Sequence, residues 1–105
     1  MKNILAVMLL IFVVLSGCKK DNTTASSYTP SCSGAAKSYK TDVAPVIASA
    51  CSGCHQNYKT YSQVSASQSS IRSMIVSGQM PKGSSLSTAQ KDAIVCWIDN
   101  GALNN

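Results

Sequence analysis

The stretch Cys51-Ser52-Gly53-Cys54-His55 carries the residues of this chain best suited to chemistry. Two thiols three residues apart, with an imidazole directly after the second, match the spacing of a covalent haem attachment site. In such a site each sulfur adds to one vinyl edge of the porphyrin, and the adjoining histidine is brought under the iron as its proximal ligand. The spacing is set by the cofactor, so the residues form one joint expectation. Cys51 and Cys54 are the thioether donors, His55 is an iron ligand, and the chain carries one haem c.

Two other chemistries use some of the same residues. A thiol-disulfide redox pair also needs Cys-x-x-Cys, but it normally sits in a βαβ context, and no segment here alternates with period two for long. A structural zinc site wants further ligands at finger-like spacing. His55 is the only histidine, and the remaining thiols are far along the chain.

A haem iron of this kind takes a second axial ligand. Met80 is the candidate, because Gly78-Gln79-Met80-Pro81-Lys82-Gly83 is a helix-stopping loop in which a thioether can face the iron from the side opposite His55. Pro81 stiffens that loop. Met74 falls on an apolar helical face and reads as core, and so does Trp97.

Helices are the elements that must position these groups. Thr41 suits an N-cap, Asp42 the positive end of a helix, and Pro45 its first turn. Val43, Val46, Ile47 and Ala50 then recur with helical spacing, so a helix is expected to run straight into Cys51. A second is expected over 61–66 and a third over 69–77, with Ile71, Met74 and Ile75 on one face and Gly78 ending it. The last has Ser87 and Gln90 as a capping box, Ala93, Ile94, Trp97 and Ile98 as its stripe, and Gly101 as its C-cap. The expected fold is all-α, a small bundle of three to five helices around one covalently bound haem.

The start of the chain reads as an export signal. Lys2 supplies a positive charge, 4–15 is an unbroken apolar run of about a dozen residues, and small residues precede Cys18. Spanning a bilayer takes roughly 20 residues. Leu15-Ser16-Gly17-Cys18 resembles the lipobox of bacterial lipoproteins, which implies cleavage before Cys18 and lipidation of its thiol. Expected domains are a signal peptide over 1–17, a lipidated flexible tether over 18–38, rich in Ser, Thr, Asn and Lys, and a haem domain over 39–105. The protein is then anchored in the cell envelope, facing the periplasm or the cell surface.

Composition narrows the partners. The net charge of +5 comes from 9 basic and 4 acidic residues among 105. No cluster of Lys and Arg interleaved with aromatics marks a nucleic-acid surface, so none is expected to bind. An acidic protein surface suits this mild charge. No carboxylate pair, serine triad or Gly-rich phosphate loop is visible, and Asp42, Asp92 and Asp99 read as helix-end or surface charges. No enzymatic activity is expected.

A helix leading into Cys51-x-x-Cys54-His55, the Met80-Pro81 loop some 25 residues on, and a C-terminal helix bearing Trp97 together resemble the class I c-type cytochromes. The resemblance covers about 39–105. Trp97-Ile98-Asp99-Asn100-Gly101-Ala102 is similar to the Trp-Ile-x-x-Gly-Ala ending of short, lipid-anchored cytochromes of bacterial envelopes. It implies crossed N- and C-terminal helices, thioethers at Cys51 and Cys54, His55 as proximal and Met80 as distal ligand, and electron transfer to redox protein partners. A haem module that binds or senses a small gas is the alternative, and it requires Met80 to be labile or absent from the iron.

With Cys18 assigned to lipid and Cys51 and Cys54 to haem, Cys32 and Cys96 remain, an even number in an exported chain where disulfides persist. They are expected to pair. The bridge would close a loop of about 65 residues, worth roughly 3 to 5 kcal/mol from chain entropy.

Overall fold

A computed structural model describes residues 28–105. The expected signal peptide over 1–17, Cys18 and the first part of the tether lie outside the described residues. Every regular element among the described residues is helical. A π-helical turn, Tyr39–Val43, runs into α1, Ala44–Ala50; α2 is Tyr61–Ala66, α3 is Gln68–Val76 and α4 is Thr88–Asp99.

The first helix is capped three residues earlier than Thr41. Ser38 is the cap: its hydroxyl accepts from the Thr41 N–H at 3.5 Å, and its own N–H donates to the Asp42 carboxylate at 2.7 Å. Its carbonyl accepts from the N–H of Val43, five residues on, at 3.2 Å. In a regular α-helix the Pro45 ring would press on the carbonyl four residues before it, and this wider turn lies where that clash would fall. Val43 and Ile47 are buried along the inner face.

Capping sets the later helices. Thr60 and Gln63 form a capping box for α2, and Ser87 and Gln90 form one for α4. Gly78, at φ 74°, stops α3, and Gly101, at φ 99°, follows the end of α4; both sit in the left-handed region where a Cβ is strained.

The core gathers Val43, Ile47, Val64, Ile71, Ile75, Leu86, Ile94, Val95, Trp97 and Ala102. α4 packs against α3 and against the π-helical turn. Trp97, 1% exposed, lies at the centre, its ring 5.5 Å from Tyr39 and 6.2 Å from Tyr61. Its indole N–H donates to the Leu103 carbonyl at 2.8 Å, and the Tyr61 hydroxyl donates to the Ala102 carbonyl at 2.8 Å. Asn105 in turn accepts from the Lys40 N–H at 2.9 Å and the Ser38 hydroxyl at 2.8 Å. The tail after α4 thus ties the two ends of the domain together.

Of the described part of the expected tether, 28–38, the segment 28–32 is held on α4. Cys32 and Cys96 form a disulfide, the Tyr28 hydroxyl donates to Asp92 at 2.6 Å, and the Ser31 N–H donates to the same oxygen at 3.2 Å. The ammonium of Lys91 lies 5.1 Å from the Tyr28 ring centre. With this strap over it, α4 is buried around more of its circumference than the stripe of Ala93, Ile94, Trp97 and Ile98 predicts: Val95 and Cys96 are buried too, while Ile98 is half-buried. Among the described residues no helix is long and apolar enough to cross a membrane.

Candidate cofactor cleft

α1 ends at Cys51, whose N–H still donates to the Ile47 carbonyl at 3.0 Å. The chain then turns back on itself, because the Cys54 and His55 N–H groups both donate to the Cys51 carbonyl, at 3.1 and 2.9 Å. The Ser52 hydroxyl donates to the Ala48 carbonyl at 2.7 Å and ties this turn to the helix. Cys51 and His55 are half-buried and Cys54 is exposed. The imidazole stacks on the Tyr58 ring with centroids 4.7 Å apart and planes inclined by 19°.

Met80 arrives from the other direction. The N–H groups of Gln79 and Met80 donate to the Met74 carbonyl at 3.0 and 3.2 Å, so the loop is hung from the last turns of α3. Gly78 makes that reversal possible.

Cys51, Cys54, His55 and Met80 all line one open cleft of about 380 Å³. Ala50, Ile71, Met74, Ile75, Pro81 and Leu86 make most of its remaining wall apolar, with Tyr58 and Lys82 also on its border. Sequence reasoning missed three of these groups, Tyr58, Met74 and Leu86. Met74 shares a face with Ile71 and Ile75, but they are buried whereas Met74 is half-buried and borders the cleft; helical period assigns a face, not what covers it. Leu86 stands alone in a Ser-rich loop and has no periodic partner to reveal it.

Burial pushes the Cys51 thiol up. A redox-active Cys-x-x-Cys needs the reverse, a thiolate favoured by positive surroundings. Cys51 and Cys54 are free thiols in the structure. Among the described residues no three or more His, Cys, Asp or Glu side chains group closely enough to hold a metal ion by themselves. Two free thiols, one imidazole and one thioether around an apolar cleft are a donor set that fits a haem, whose porphyrin ring already supplies four nitrogens to the iron.

Comparison of the chain with protein-family models, with curated proteins and with solved structures finds no match.

Proposed function

We propose that this chain is an electron-transfer protein carrying one covalently attached haem c with His55 and Met80 as axial ligands. One observation carries the reading: the four side chains marked out by spacing and loop chemistry, Cys51, Cys54, His55 and Met80, border the same apolar cleft although 25 residues separate His55 from Met80. When bound, the haem supplies reversible one-electron chemistry, at a potential set by its ligands, burial and hydrogen bonds.

The chain's own residues have defined tasks. Cys51 and Cys54 hold the porphyrin edge through thioethers, so the group is not lost on unfolding. His55 supplies imidazole and Met80 thioether to the iron, the latter raising the potential. Ile71, Ile75 and Leu86 keep water from the inner wall, while the open side of the cleft leaves access for a redox protein partner. The disulfide between Cys32 and Cys96 supports export to an oxidising compartment, and with a lipid at Cys18 the domain works on a membrane of the cell envelope.

Haem staining of the denatured protein after electrophoresis, with an absorption spectrum of the native ferric and ferrous forms, tests this. A stained band and a weak methionine-to-iron band near the red end of the ferric spectrum are expected. An unstained band with two alkylatable thiols at Cys51 and Cys54 would falsify the reading.

A further inference from the structure

His55 and Tyr58 form a stacked pair, 4.7 Å between centroids and 19° between planes. Metal-binding histidines are usually oriented by a hydrogen bond from their second ring nitrogen to a carboxylate or carbonyl. The side-chain hydrogen bonds of the surrounding segment, from Ser52 to Ala48 and from the Lys59 and Thr60 N–H groups to Gln63, do not include the His55 ring. Its neighbour is an aromatic face instead, and offset stacking is a favourable arrangement for two such rings.

Tyr58 is itself held firmly enough to serve as a reference. Its N–H donates to the His55 carbonyl at 3.1 Å, which closes the turn between the two rings. The next two residues are fixed by Gln63, whose side-chain oxygen accepts from Lys59 and Thr60 at 3.0 and 3.1 Å as part of the α2 capping box. Tyr58 is half-buried and borders both the cleft and a second cavity of about 210 Å³ that Tyr39 and Ile47 also line.

We propose that Tyr58 is a positioning residue for His55: its ring sets the plane in which the imidazole meets a cofactor in the cleft and keeps water from that face. The inference rests on the haem reading above. Haem staining of the wild-type protein tests that reading by itself, and the following measurements test Tyr58.

In the ferrous wild-type protein, nuclear Overhauser contacts between the His55 and Tyr58 ring protons are expected, and their absence overturns the proposal. Tyr58→Phe keeps the stacked face and should match the wild type in ferric electron paramagnetic resonance and in potential. Tyr58→Leu removes it and should shift and broaden the resonance lines and lower the potential, because water reaching the imidazole favours the more highly charged ferric state. A leucine variant with the wild-type spectrum and potential overturns the proposal. A phenylalanine variant that departs from the wild type does so too, since the hydroxyl would then be the active group. If the leucine variant fails to take up haem, the Overhauser contacts and the phenylalanine variant still decide.

Discussion

The backbone N–H of Met80 donates to the carbonyl oxygen of Met74 at 3.2 Å, so the loop bearing one thioether hangs from the residue bearing another. Both side chains border the same cleft, and they are distinguishable by substitution. On the haem reading proposed above, Met80→Ala should retain covalent haem, lose the methionine-to-iron band, bind carbon monoxide rapidly in the ferrous form and have a lower potential. Met74→Ala should keep the band and the ligation. A Met80→Ala protein whose spectrum is unchanged would remove Met80 from the iron.

The disulfide between Cys32 and Cys96 spans 64 residues of sequence. Constraint on the unfolded chain makes such a loop worth about 4 kcal/mol, so the double Cys32→Ser, Cys96→Ser variant should lose about that much in urea denaturation. Thiol titration of the denatured, unreduced, haem-loaded protein should find no reactive cysteine. Two reactive thiols, or an undiminished denaturation midpoint in the double variant, would contradict the bridge.

Trp97 fills the centre of the core and is 1% exposed. Trp97→Ala removes its contacts with Tyr39 and Tyr61 and leaves the Leu103 carbonyl without its donor, for an expected cost of about 3–5 kcal/mol. Trp97→Phe should cost less, since an aromatic ring remains. Denaturant midpoints compared at equal slope measure both.

The strap makes stability depend on pH at both extremes. The Tyr28 hydroxyl, and after it the Ser31 N–H, hold the Asp92 carboxyl below its ordinary value of 3.8. That contribution is complete above about pH 4 and fades as pH falls through the lowered folded-state value. Burial, and after it the hydrogen bond to Asp92, pushes the Tyr28 hydroxyl well above its ordinary 10.0. Its contribution is complete below about pH 10 and fades as pH rises towards the raised value. Tyr28→Phe should therefore flatten both limbs of a plot of denaturation midpoint against pH. Asp99, lowered by its hydrogen bond to Arg72, should preserve part of the acid limb. Unaltered limbs in Tyr28→Phe would mean that the strap contributes nothing through this pair.

Much of the local structure was legible because its causes lie within a few residues. Ser87 and Gln90 announce the start of α4 by a reciprocal cap, 61–66 is helical as expected, and Gly78 stops α3 where a left-handed residue is needed. The first cap was misplaced, at Thr41 rather than Ser38, because the turn ahead of Pro45 is wider than an α-helix. Tyr28, Leu86 and the tail after Gly101 left no periodic trace, since each acts on residues far along the chain.

By itself the sequence determined the thiol and imidazole spacing of Cys51, Cys54 and His55, the helix starts and stops, and the apolar faces, all of which depend on contiguous residues and on 3.6-residue geometry. Only the tertiary structure decided that Met80 and Met74 meet the same cleft, that Tyr58 covers one face of His55, and that 28–32 is bound to α4. These are long-range packings, and an apolar face does not specify which neighbour, core or cleft it will meet until the whole chain has folded around it.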